Sequence, residues 1–128
     1  METYPFEMTG VVKEQELDML GNVSHITITE WLHDARCQTL KHVRPSAYEA
    51  ALAQGYVPVV VHLTLDLSES LKRDDAYQVD VKLRRKGPRH IFESEIHRVR
   101  DNVLAAAGTA ELVFTKDGRP VKENVLEL

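Results

Sequence analysis

The chain has almost no cysteine, no excess of positive charge, no long apolar run and no flexible linker, and each absence narrows what it does. One cysteine in 128 residues, Cys37, excludes an intrachain disulfide framework and every multi-cysteine zinc site. Lys and Arg number 16 against 20 Asp and Glu, a formal charge of -4. Neutralising phosphates needs clustered cations, so nucleic acid is not an expected partner. The longest apolar stretch, Val57-Pro58-Val59-Val60-Val61, falls far short of the roughly 20 residues that span a membrane. Met1-Glu2-Thr3-Tyr4-Pro5 lacks the basic region and apolar segment of a leader. With a single thiol, the expected compartment is the cytoplasm.

What is present is the composition of a soluble globular domain, 43% hydrophobic and 28% charged. No repeat and no Gly/Ser-rich linker divides the chain, so residues 1–128 read as one domain. Residues 6–16 alternate through Phe6, Met8, Gly10 and Val12, as a half-buried strand does. Residues 18–22 read as a turn in which Gly21 takes positive φ. Ile26, Ile28, Trp31, Leu32, Ala35, Leu40 and Val43 recur near the helical period, which predicts a helix over 26–43 ended by Pro45. Ser24 or Thr27 is positioned to cap it. A short helix over 46–55 follows, then strands over 57–67, 75–83, 89–99 and 103–115, and a tail over 121–128. Strands gathered after one long amphipathic helix predict an α+β fold, an antiparallel sheet of about five strands covered by that helix. Trp31, Leu32, Ala35 and Leu40 should pack on Val79, Val81 and Leu112.

The stretch that joins the first strand to the long helix carries the chemistry. Asp18 and His25 bracket the Gly21 turn, and a helix N-terminus behind them offers unpaired N–H groups. A carboxylate, an imidazole and aimed donors suffice for acyl hydrolysis: the acid attacks or activates water, and the donors hold the oxyanion. Residue types and spacing alone favour the structural reading, a turn-stabilising Asp18 and a helix-starting His25. His33 and Cys37 stand four apart on the helix, but no third metal ligand accompanies them. Arg84-Arg85-Lys86-Gly87-Pro88-Arg89-His90 is the one basic cluster, either a solvated hairpin turn or a seat for phosphates.

Asp18-x-x-Gly21-x-Val23-x-His25, with Glu16 two residues before it, resembles the signature of hotdog-fold acyl-CoA thioesterases. The nearest resemblance is to the 4-hydroxybenzoyl-CoA thioesterase-like group, which includes the Tol–Pal-associated acyl-CoA thioesterases. Trp31-Leu32-His33-Asp34-Ala35-Arg36, Ser70-Leu71-Lys72-Arg73-Asp74-Asp75 and Gly108-Thr109-Ala110-Glu111-Leu112-Val113-Phe114 resemble further segments of that family. The resemblance implies a hotdog fold and hydrolysis of an acyl-CoA or acyl carrier protein thioester. It implies Asp18 as nucleophile or general base, His25 as the residue orienting or polarising the thioester, and backbone donors at Val23, Ser24 and His25. In such a protein Arg84, Arg85, Lys86 and Arg89 are expected to seat the CoA phosphates, and Glu16 is the backup acid. No metal or redox cofactor is implied, CoA being part of the substrate, and the working unit is expected to be a homodimer or homotetramer. The chain departs from the family pattern at Glu16, Asn22, Ser24 and Ile28, several of them beside the acyl pocket. An enoyl hydratase is disfavoured because its Asn-Pro element is absent. A hotdog domain that binds acyl-CoA or a carrier protein without turnover is the alternative.

Overall fold

The structure is a computed structural model describing residues 2–128. The strands are β1 (Tyr4–Val11), β2 (Tyr56–Leu67), β3 (Ala76–Lys86), β4 (Arg89–Arg98), β5 (Val103–Lys116) and the short β6 (Arg119–Pro120), with helices α1 (His25–Val43) and α2 (Pro45–Ala53) between β1 and β2. They form one antiparallel sheet in the order β1-β3-β4-β5-β2, with β6 paired to the end of β5. The sheet curls around α1, the architecture expected from the sequence.

The period of each element explains its packing. Tyr77, Val79, Val81 and Leu83 alternate inward on β3, and Phe92 and Ile96 do the same on β4. Trp31, Leu32, Ala35 and Leu40 are buried on the facing side of α1 in the same core as Val79, Val81 and Leu112. Small residues let the helix approach: a Cβ on Gly108 would stand 3.1 Å from both Leu32 Cδ1 and the Thr64 carbonyl oxygen. On β1, a Cβ on Gly10 would overlap the Tyr77 ring.

One clamp fixes the helix start. Lys13 N–H donates to Glu16 Oε1 at 2.8 Å and the Trp31 indole N–H donates to Glu16 Oε2 at 2.7 Å. The Trp31 ring lies flat on Tyr77, centroids 3.9 Å apart and planes 11° from parallel.

Several boundaries differ from the sequence reading, each for a local reason. β1 ends at Val11, where the chain keeps the Val12 N–H bond to the Asp75 carbonyl before residues Glu14–Glu16 form a 3-10 turn. Ile26, expected on the apolar stripe, is exposed in the first turn of α1. α2 starts one residue earlier, with Pro45 in its first turn, where a missing N–H costs nothing. β3 runs on to Lys86 because Arg84, Arg85 and Lys86 pair with Ile91, His90 and Arg89. Residues 121–128 are no loose tail: Leu126 is fully buried, and Val121, Val125 and Leu128 pack on the core.

The clamp generates a test. Trp31→Phe keeps the ring stack but removes the N–H from a partly buried carboxylate. Hydrogen bonds to charged groups contribute about 1.5–3 kcal/mol, so urea unfolding should show a loss of that size. Gly10→Ala should cost about 1–3 kcal/mol by overpacking against Tyr77. Unchanged midpoints for both variants would contradict the clamp.

Candidate active site

After the 3-10 turn, Leu17 and Val23 pair as an isolated antiparallel bridge and close the loop 18–22 between them. Asp18 N–H donates to the Asn22 carbonyl at 2.7 Å and Gly21 N–H to the Asp18 carbonyl at 3.1 Å, with Gly21 at φ +80°. The Asp18 carboxylate is built into this turn through one oxygen. Oδ1 accepts the N–H of Leu20 at 2.9 Å and of Asn22 at 3.1 Å. Oδ2 has no partner among the described residues. Asp18 is exposed, so its carboxylate is oriented by two amides and reachable through its second oxygen.

The loop is fastened to the segment before β3. Val23 N–H donates to the Leu71 carbonyl at 2.9 Å, and Asn22 bridges to Lys72. Ser24 caps α1, its hydroxyl accepting the Thr27 N–H at 3.2 Å. His25 is the first helical residue and its side chain is exposed. Of the amides named from sequence, Val23's is therefore used by Leu71 and is withdrawn from the oxyanion set. Ser24 serves the cap through its side chain, and its amide has no partner among the described residues. The His25 and Ile26 amides have no partner among the described residues and carry the positive end of the helix dipole. The sequence reading places Ile26 on the apolar stripe and does not consider its amide, because periodicity reports side chains only.

Glu16 is corrected as backup acid. The 3-10 turn takes it off an extended strand, and both of its oxygens are occupied by Lys13 and Trp31.

Beside the helix start lies a cleft of about 240 Å³ lined by Val23, Ile28, Leu67 and the segment 68–71. Around this end of the chain Met19 and Leu20 are almost wholly exposed, with Ile26 and Leu67 also open.

Arg36 was noticed in sequence only as part of a motif. It lies on the buried face of α1, one turn after Leu32, at 7% exposure. Burial lowers its pKa.

The basic run does not act as one cluster. Arg85 points inward, half-buried, and donates to the Lys122 carbonyl at 3.4 Å, so it is withdrawn from the CoA set. Arg84, Lys86 and Arg89 share the outer face. Arg84 pairs with Glu93 at 2.9 Å and Arg89 with Glu111 at 3.1 Å, while Lys86 is exposed. The β3–β4 turn also lies at the far end of the sheet from Asp18. The 11 residues of β3 separate them, about 33 Å at strand rise. His33 and Cys37 approach to 3.7 Å, and no group of three or more His, Cys, Asp or Glu among the described residues is placed to hold a metal ion. No helix among the described residues is long and apolar enough to cross a membrane.

No protein-family model matches the chain, and no curated protein matches it in sequence. Solved structures do match in fold. The dynemicin thioesterase superposes with a TM-score of 0.83 at 23% identity, over 97% of this chain and 92% of that one. A 4-hydroxybenzoyl CoA thioesterase variant complexed with 4-hydroxybenzoyl CoA gives 0.82 at 16% identity, over 96% of both chains. The 1,4-dihydroxy-2-naphthoyl-CoA thioesterase from Synechocystis gives 0.79 at 15% identity, over 93% and 89%. The curled antiparallel sheet around α1 is thus the hotdog fold that these thioesterases share, and this chain is a hotdog-fold protein.

Proposed function

We propose that the chain is an acyl-CoA thioesterase that hydrolyses an acyl thioester to the free acid and CoA, with Asp18 as its carboxylate. The observation that carries this reading is the Asp18 turn. One carboxylate oxygen is fixed by two amides, the other is open, and the unpaired His25 and Ile26 amides stand at the adjoining helix start. As nucleophile, Oδ2 adds to the thioester carbon and the oxyanion rests on those amides. The C–S bond then breaks, CoA leaves as thiolate and is protonated, and water hydrolyses the anhydride to restore Asp18. As general base, Asp18 takes a proton from water, which attacks directly. His25 orients or polarises the carbonyl, and the apolar cleft takes the acyl group. The reaction needs no metal or redox cofactor, and the single thiol fits a cytoplasmic setting. An acyl carrier protein thioester is the alternative substrate.

The working unit in this reading is at least a homodimer paired through β2. That strand ends the sheet order, and Val57, Val59, Val60, Val61, Leu63 and Leu67 on it are 41–55% exposed. A long apolar edge of this kind needs cover. Antiparallel pairing with a second copy sets the Tyr56 end of one β2 beside the Leu67 end of the other. The second subunit's β3–β4 turn then comes to the end where Asp18 lies, so that Arg84, Lys86 and Arg89 serve the CoA phosphates across the dimer.

Free-thiol release from a panel of aliphatic and aryl acyl-CoAs tests the chemistry. Asp18→Asn should lose about 10²–10⁴-fold in turnover while still binding CoA, the usual range for a positioned acid or base. His25→Ala should lose less, and Arg89→Ala should chiefly raise KM. Near wild-type turnover in Asp18→Asn would end the assignment, and binding without any cleavage would replace it with the non-catalytic reading.

Light scattering at micromolar concentration tests assembly. The native chain should have at least the mass of a dimer, and Leu63→Arg should run as a monomer with little activity. A monomeric native chain would remove the shared site.

A further inference from the structure

His90 is 1% exposed, and neither ring nitrogen has a hydrogen-bond partner. It lies edge-on to Phe114 on β5, centroids 5.1 Å apart, and opposite Arg85 on β3, whose buried Nε is likewise without a partner. The C-terminal segment is tied to these same neighbours. Val121 N–H donates to the Phe114 carbonyl at 2.9 Å, and Arg85 Nη2 donates to the Lys122 carbonyl at 3.4 Å. Further along, Leu126 is buried in the core, Arg44 Nε donates to the Glu127 carbonyl at 3.4 Å, and Asn124 holds Leu128 through two hydrogen bonds. A core position that suits an apolar ring thus holds an ionisable one, beside a cation, and both Phe114 and Arg85 hydrogen-bond to the C-terminal segment.

We propose that His90 is a proton-operated latch for the C-terminal segment: charging its ring beside Arg85 releases residues 121–128 from the end of the sheet. Neutral, the ring packs on Phe114 as an aromatic spacer. Charged, it is a desolvated cation facing Arg85, and the state that relieves both opens the segment and admits water. Release uncovers the Phe114 and Leu126 packing and takes away the Leu128 wall of the groove of about 170 Å³ bounded by Glu2, Tyr4, Arg85 and Leu128.

The charged groups around the ring leave Arg85 as the acting one. Glu2, Arg44, Lys122, Glu123 and Glu127 lie on the surrounding segments, but desolvation first and the Arg85 charge second account for the ring's titration, which they lower from 6.5 to about 4. An open segment leaves the ring at its ordinary value. The closed state is therefore fully favoured above pH 6.5 and loses ground as pH falls towards 4.

Amide hydrogen exchange on the full chain, normalised to the unfolded-chain rate at each pH, tests this. Protection of the Val121 and Leu128 amides should fall roughly thirty-fold between pH 7.5 and pH 5, with the β3–β5 ladder falling much less. His90→Leu should flatten the dependence. Equal protection at both pH values, a parallel loss across β3–β5, or an unchanged dependence in His90→Leu would each overturn the latch. If that variant does not fold, NMR titration of the His90 ring in the native chain decides. A midpoint well below 6.5 supports the latch, and one at 6.5 with the segment closed overturns it.

Discussion

The bond from the Trp31 indole to the Glu16 carboxylate is the constraint on which the rest of this structure hangs. It joins the turn after β1 to α1, and the Tyr77 stack beneath it joins both to β3. Three elements distant in sequence meet in one contact, so the helix start has little freedom to slide. The Asp18 loop leaves that junction two residues after Glu16 and returns through Val23, itself held by Leu71. The geometry at Asp18 is therefore inherited from a clamp several ångströms deeper. A part-buried carboxylate serves here because the Lys13 N–H and the Trp31 N–H each reach a different oxygen, whereas an amide side chain would turn its own NH₂ donor towards one of them.

Periodic features were legible in the sequence and one-off contacts were not. The stripe through Ile28, Trp31, Leu32, Ala35 and Leu40 and the alternation on β3 are repeated signals, and they specify which faces meet. Ile26 fits the same period yet is exposed, because it lies in the first turn, beyond the cover of the sheet. Glu16 was readable as an acid near Asp18, but its partner stands 15 residues away and only the fold brings them together. Arg85 was grouped with its neighbours because a run of charges looks uniform in sequence, while strand alternation sends every second side chain to the opposite face. The C-terminal segment read as a tail because Val121, Val125, Leu126 and Leu128 keep neither period, and their burial depends on an open sheet end that no local pattern announces.

The two ends of the curled sheet are built differently. At the Asp18 end, polar groups face outward and apolar side chains such as Met19, Leu20 and Leu67 lie open around them. At the other end, His90 and Arg85 are drawn inside and closed off by residues 121–128. Most of the burial at the second end is completed within one chain. The first end, like the β2 edge next to it, leaves apolar surface that a single chain does not cover.

For the proposed reaction that difference bears on rate. Two unit charges 4 Å apart interact by about 1 kcal/mol in bulk water and about 4 kcal/mol at the effective dielectric of a protein surface. Donors at a helix start act as partial charges, so in an open cleft the His25 and Ile26 amides add little for an oxyanion that water already solvates. Held in a closed cleft, the same amides approach the several kcal/mol expected of an oxyanion hole. Asp18 is subject to the same condition. Its Oδ1 is anchored without water's help, but Oδ2 remains a hydrated carboxylate oxygen until something apolar displaces that water. In the proposed function, an acyl chain laid along Val23, Ile28 and Leu67, with a second β2 closing the edge beside them, would supply that displacement. In the proposed function, catalysis by this turn and the covering of the β2 edge become one requirement, because the exposed apolar surface borders the water that the chemistry must lose.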